Sequence, residues 1–404
     1  MLPQLSPELP STQQEDVLKP SSSQQSLIGS RQPNRTLMEG SVSPPSTRLQ
    51  TSPPPSPPRS PSPPPPMGAV KEVRIHRLRV LEDMISAFQS GDTIHQQLTF
   101  SFVGESAIDQ SGVSRDAYSS FWDAFYERRT SGTNTVVPCV TVQYCRKEWL
   151  AVGHILVKGY MDHRIFPVRL NLTFLTVMPL GEKAVSEDLI LSSLYSYLSE
   201  DVKDLLTRAR NNDLKDDEEG ELVQFLADSG WTSTIPNYVN KTDFDKCLLQ
   251  IGHKILIQTS KYPLVCIADV TRRHLSHKIS DVDSIKSLVK ELTPTTRKVL
   301  KLFQAEINSC REQNAFDLLK KYVRGLGRDM LPKFLKFCTG SSVMSVTSID
   351  VTFNSTSGLQ RRPVARTCGP VLEISVMYTD IADMRYEFNS VLSGGNEGLV
   401  FTIS

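Results

Sequence analysis

The stretch "ARTCGPVLEISVMY", residues 365–378, joins a cysteine flanked by turn-formers to a run that alternates strictly. Leu372, Ile374, Val376 and Tyr378 face one way, as a half-buried strand requires, so Cys368 is predicted on the loop entering that strand. Upstream, "IDVTF" (349–353) repeats the pattern, with Ile349, Val351 and Phe353 on one face. Ahead of it, "AFDLLKKYVRGLG" (315–327) and "DMLPKFLKFCTG" (329–340) read as short helices, the second with Pro332 in its first turn and Gly340 at its stop. Downstream, "ADMRYEFNSVLSGG" (382–395) reads as an amphipathic helix ending at Gly394, and "LVFTIS" (399–404) is expected to close the sheet. The sum is a small α/β domain over residues 311–404, set off by the polar stretch "NSCREQN" (308–314).

Working toward the N-terminus, residues 74–310 read as a mainly helical domain, which makes the fold class α+β. "LTFSFV" (98–103) is a strand, and the amphipathic helix after it carries Tyr118, Phe121, Trp122 and Phe125, with Ser114 as its N-cap. Ser186 and Ser199 each open a Ser-Glu-Asp helix start. The acidic run "DLKDDEEGELVQFLADSGW" (213–231) is a solvated helix face or a site for a basic partner. Residues 1–73 are rich in Ser, Pro and Gln and climax in "TSPPPSPPRSPSPPPP", too poor in apolar groups to offset a backbone ordering cost of about 1–2 kcal/mol per residue. They read as a disordered arm: a spacer, or a docking segment for SH3 and WW domains with Ser43, Ser52, Ser56, Ser60 and Ser62 before prolines.

Composition narrows the function classes. A formal net charge of +1 over 404 residues advertises neither nucleic acid nor an anionic membrane. The N-terminus lacks a secretory pattern, and the longest apolar region, "RIFPVRLNLTFLTVMPLG" (164–181), is broken by Arg164 and Arg169. The expectation is a soluble cytoplasmic or nuclear protein, with seven cysteines as free thiols in a reducing compartment. No cofactor or metal is expected, because Cys266, His274 and His277 lack a paired half and "RGLGRDM" (324–330) lacks the phosphate-loop spacing. Histidines 76, 95, 154, 163, 253, 274 and 277 are scattered, so the sequence pairs none with Cys368 as a hydrolase would need.

The order "FLKFCTGSS", strand, "RRPVARTC", strand ending in Tyr, helix and terminal Phe resembles the C-lobe of HECT-type E3 ubiquitin ligases. "FVGESAIDQSGVSRDAYSSF" (102–121) is similar to the opening of that family's N-lobe, and "GHILVKGYMDHRIFPVRLN" (153–171) to the segment after it. "GHKILIQTSKYPLVCIADV" (252–270) and "PTTRKVLKLF" (294–303) resemble the divergent vertebrate branch that includes the G2/M-phase-specific ligases.

The resemblance implies a bilobal fold and a transferase that takes ubiquitin from an E2 as a thioester on Cys368 and passes it to a substrate lysine. It implies Thr367 and Arg366 as support of the catalytic loop, Phe401 as the C-terminal aromatic, and an E2-docking part near residues 207–250. Glu105, Asp109, Gly112 and Arg115 match the N-lobe opening in an architectural role. A free cysteine has a pKa near 8.5 that a neighbouring cation lowers, so Arg361, Arg362 and Arg366 are expected to keep the thiol's surroundings positive. Arg366 stands where the family has His, and Gly369-Pro370 where it has Phe-Asn. The alternative is a HECT-derived interaction protein without transfer activity, acting as a scaffold.

Overall fold

Val73 and Ile75 alternate with charged residues, and this places them inward on β1 (Lys71–Ile75). The chain crosses over through α1 (Val80–Ala87), which buries Leu81, Met84 and Ile85, and returns as β2 (Leu98–Phe102) parallel to β1, pairing Val73 with Phe100 and Ile75 with Phe102. This is a computed structural model described over residues 70–105, 111–215, 217–233 and 240–393. Residues 71–73, read as the end of the arm, belong instead to the first strand, because pairing with β2 supplies the partner that the sequence leaves unseen.

The helix α2 (Gly112–Arg129) follows, with Tyr118, Phe121, Trp122 and Phe125 at most 2% exposed. Its N-cap is Ser111, held at φ 71°, rather than Ser114, which is buried one turn inside. A short hairpin, β3 (Thr130–Gly132) and β4 (Val136–Pro138), leads to α3 (Arg146–His163) and α4 (Leu172–Leu180). Ser186 and Ser199 stand at the N-cap positions of α5 (Glu187–Tyr197) and α6 (Glu200–Arg210), where the Ser186 side chain accepts the Leu189 N–H and the Ser199 side chain makes no capping bond. The acidic run forms α7 (Glu218–Asp228), whose Leu222 and Leu226 are buried. The last helices are α8 (Lys241–His253), a π-helical turn at Lys254–Gln258, α9 (Lys261–Leu275) and α10 (Val282–Leu292). Gly153 lets α3 approach α9 closely; a Cβ there would lie 3.0 Å from Val270 Cβ. One apolar core runs from Val73 to Leu292 and takes in Val343 from far along the chain.

A second core runs from Val299 to Leu392. It is built on α11 (Thr296–Leu302), β5 (Phe303–Gln304), α12 (Cys310–Arg324), α13 (Met330–Thr339), β6 (Ile349–Asn354), β7 (Val364–Arg366), β8 (Val371–Ser375) and α14 (Ile381–Ser393). The sheet order is β5-β6-β8-β7, parallel except for the antiparallel β7/β8 hairpin. Ile349, Val351, Leu372 and Ile374 point into the core as the alternation predicts, but β8 stops at Ser375, which is itself buried, so Val376 and Tyr378 lie beyond the strand and Tyr378 reaches the core from the turn after it.

The division between cores falls at residues 293–298, not at 310/311. Val299 and Leu302 serve the second core, and the polar "NSCREQN" is the start of α12: Ser309 Oγ accepts from the Glu312 N–H, and the Glu312 carboxylate accepts from the Ser309 N–H. The chain is thus α+β, a mainly helical part followed by a small α/β part. Among the described residues no helix is long and apolar enough to cross a membrane. The arm's residues 1–69, Asp109, Gly394, Phe401 and the whole of "LVFTIS" lie outside the described residues.

Candidate functional site around Cys368

The β7/β8 register, Ala365 opposite Leu372 and Arg366 opposite Val371, leaves Thr367, Cys368, Gly369 and Pro370 as the hairpin turn. Cys368 is a free, partly exposed thiol at that turn, on the loop into β8. The turn is fixed from below, since the Pro370 carbonyl accepts the Asp350 N–H of β6 at 2.9 Å. Thr367 is 8% exposed, whereas the Arg366 side chain is 55% exposed with its nearest carboxylate, Glu373, 3.9 Å away.

The other wall of the site is the first turn of α2. A Cβ on Gly112 would sit 2.8 Å from the Cys368 nitrogen, closer than any side chain tolerates, so glycine is what lets the helix meet the cysteine turn. Gly340, at φ +76°, completes the fit: a Cβ there would lie 2.6 Å from the Gly112 carbonyl oxygen. Arg115 ties the three segments together. Its Nε donates to the Thr339 carbonyl at 2.8 Å, its Nη1 donates to Ser111 Oγ at 3.2 Å, and its Nη2 donates to the Thr367 carbonyl. Ser111 Oγ reaches the Cys368 carbonyl at 3.5 Å.

Charges flank this contact. Arg77 grips both Glu105 oxygens at 2.7 and 2.9 Å and Asp116 Oδ2 at 2.5 Å; Lys336 of α13 sits 2.8 Å from Asp123 and 3.7 Å from Asp116. Burial works against both cations, but the facing carboxylates outweigh it and raise the pKa of Arg77 and of Lys336. Two backbone N–H groups donate across the same boundary: Ser342 to Ser119 Oγ at 3.3 Å and Met344 to the Leu292 carbonyl at 2.9 Å.

The sequence predicts that Arg361, Arg362 and Arg366 keep the thiol's surroundings positive, but Arg361 and Arg362 are committed to carboxylates. Arg361 pairs with Asp383 at 2.5 Å and Glu387 at 3.2 Å, and its carbonyl accepts the Tyr378 hydroxyl at 2.6 Å, so it fastens α14 to the chain entering β7. Arg362 likewise faces Glu387, at 4.0 Å. The arginine brought to the cysteine turn is Arg115, whose place there is invisible in sequence because 252 residues separate it from Thr367. Of the other cysteines, burial pushes the thiols of Cys338 and Cys266 up and that of Cys247 up to about 11, while Cys145 and Cys310 are exposed.

The histidines are occupied elsewhere. His154 bonds the Phe88 carbonyl at 2.9 Å, His76 bonds Asp83 at 2.9 Å, and the rings of His95 and His274 lie 5.8 Å apart. His163 packs on Tyr118, His253 lies 3.8 Å from Glu182, and His277 is exposed. Among the described residues no group of three or more His, Cys, Asp or Glu is placed to hold a metal ion. Among the described residues, the chemistry on offer is that of a thiol on a pinned turn with no histidine bonded to it. No protein-family model matches the chain, and no curated protein matches it.

Proposed function

We propose that the chain is a HECT-type E3 ubiquitin transferase with Cys368 as the acceptor thiol. One observation carries this reading. The separate stretches that resemble the family, Gly112–Arg115, Thr339–Gly340 and Thr367–Cys368, converge at one place around a partly exposed thiol. In transfer, the Cys368 thiolate attacks the carbonyl carbon of an E2–ubiquitin thioester. The new C–S bond forms as the E2 sulfur departs as thiolate. A substrate amine then attacks the same carbon, an amide forms, and the Cys368 thiolate is released as the amine gives up its proton.

A thiol without an imidazole partner suits this exchange better than amide hydrolysis. A thiolate leaves unaided, whereas an amine leaving group must be protonated by a general acid. Thr367, buried beside the thiol, shapes the turn, and Arg366 stays at its rim. The Pro-rich arm, through SH3 or WW domains, and the helical part would choose substrates.

A second reading is favoured by the turn's own sequence, where Gly369-Pro370 replaces Phe-Asn: a scaffold of the same ancestry without transfer activity. Incubation with E1, a panel of E2 enzymes and ubiquitin separates the two. The transferase reading expects a band on a non-reducing gel that thiol reductant removes and Cys368→Ala abolishes; its absence with every E2 favours the scaffold.

A further inference from the structure

We propose that Arg115 is the positioning residue of Cys368, setting the orientation of the thiol-bearing turn from the first turn of α2 rather than from the sheet that carries it. This inference rests on the transferase reading for its purpose but not for its test. The sheet fixes the turn only at its ends, through the Arg366–Val371 pair and the Asp350 bond to Pro370. Between those ends, the Thr367 carbonyl is held by Arg115, and the peptide plane it belongs to is the one that leads into Cys368. The same guanidinium holds the Thr339 carbonyl, so the end of α13 and the cysteine turn move as one with α2. Arg115 is itself only 8% exposed and braced by Ser111, which makes it a rigid fork rather than a mobile surface side chain. Gly112 and Gly340 remove the two side chains that would hold the surfaces apart.

A positioned thiol and a merely accessible thiol respond in opposite ways when the fork is cut. Freed from Arg115, the turn swings more widely, so a small reagent reaches Cys368 faster. A protein-bound thioester needs one orientation with reacting atoms about 3–3.5 Å apart, so it is attacked more slowly.

The test uses the full chain as wild type, Arg115→Ala, Arg115→Lys and Gly112→Ala. Iodoacetamide labelling of Cys368 is followed by peptide mass spectrometry across pH, with exposed Cys310 as the reference in the same molecules. The high-pH plateau reads accessibility and the midpoint reads ionisation, so loss of a positive charge is not mistaken for movement. Loss of a charge-assisted hydrogen bond predicts a plateau raised about tenfold in Arg115→Ala. Gly112→Ala, which keeps the guanidinium, should show a similar rise, and Arg115→Lys, with one donor head for two carbonyls, a smaller one. Cys310 should stay within about twofold. In single-turnover transfer from an E2–ubiquitin thioester, the same variants should lower the rate constant while the half-saturating E2 concentration stays put.

Cys368 plateau rates unchanged in both Arg115→Lys and Gly112→Ala overturn the proposal, as does Cys310 accelerating in step with Cys368. If Arg115→Ala does not fold, the other two variants decide. Labelling that responds as stated while no variant or wild type accepts ubiquitin leaves Arg115 as the positioning residue and removes the transferase reading alone.

Discussion

Asp116 is the carboxylate on which the boundary between the two cores turns. Its side chain is 2% exposed, with Arg77 Nη1 at 2.5 Å, Ser120 Oγ at 3.0 Å and Lys336 Nζ, from the second core, at 3.7 Å. At an effective dielectric of about 20, a pair near 4 Å attracts by about 4 kcal/mol, much of which the desolvation of the ions offsets. Asp116→Asn keeps the shape and removes the charge. Neither cation is orphaned, since Arg77 retains Glu105 and Lys336 retains Asp123, so the cost falls below that of stranding a buried ion. One lost charge-assisted contact puts it at about 2 kcal/mol. The two cores need not unfold together, so a global midpoint is the wrong measure. Hydrogen exchange of a peptide covering residues 341–346 is the right one, because its Ser342 and Met344 amides bond across the boundary. About 2 kcal/mol predicts exchange roughly thirtyfold faster there. Exchange that is unchanged or slower in Asp116→Asn would mean that desolvation outweighs attraction in this cluster, and the reasoning fails.

Further outcomes follow from single contacts. Burial, then His95, His154 and Arg273, lowers the pKa of His274, so the folded state binds fewer protons than the unfolded one. Stability from this group is therefore full above about pH 6.5 and lost as pH falls from there toward the folded-state pKa; thermal melts from pH 7.5 to 5.5 should slope less in His274→Gln. A Cβ on Gly159 would lie 2.9 Å from the ring of fully buried Tyr118, so Gly159→Ala should cost about 1–3 kcal/mol, read from a lower urea midpoint by fluorescence of buried Trp149. Arg361→Ala strips the main partner from Glu387, whose side chain is 7% exposed, and should cost about 3 kcal/mol, seen as faster exchange in α14 and at residues 358–366 with α3 unaffected.

Strands and helix stops with a strong local signal were legible in the sequence. The alternation of β6 and of β8 as far as Ile374, the Gly340 stop at φ +76°, and the helix starts at Ser186 and Ser199 appear where the residues place them. Elements that exist only through pairing were not: β5 has two residues and β7 three, too short for any period to register. The polar stretch before α12 looked like a linker because a capping box and a linker share a composition, while the actual junction holds Pro294 and few other signs. The sequence points to Ser114 as the cap of α2, whereas the helix starts after Ser111, and the docking of Gly112 against the cysteine turn accompanies that earlier start. Within the site, Cys368 and its turn could be read from residue types. The partners Arg115, Ser111 and Gly340 could be assembled only in space, and the ion pairs of Arg361 removed a role that nearness in sequence had suggested.

If the proposed transferase reading holds, Cys368 carries ubiquitin as a thioester. The direct measurement is intact-mass and peptide-mapping spectrometry, without reductant, on the full chain after a brief pulse with E1, E2 and ubiquitin. One ubiquitin mass should be added, attached through the peptide containing Cys368, released by thiol reductant or hydroxylamine and absent in Cys368→Ala. Ubiquitin found only on lysines, on another cysteine, or nowhere with any E2 would contradict it.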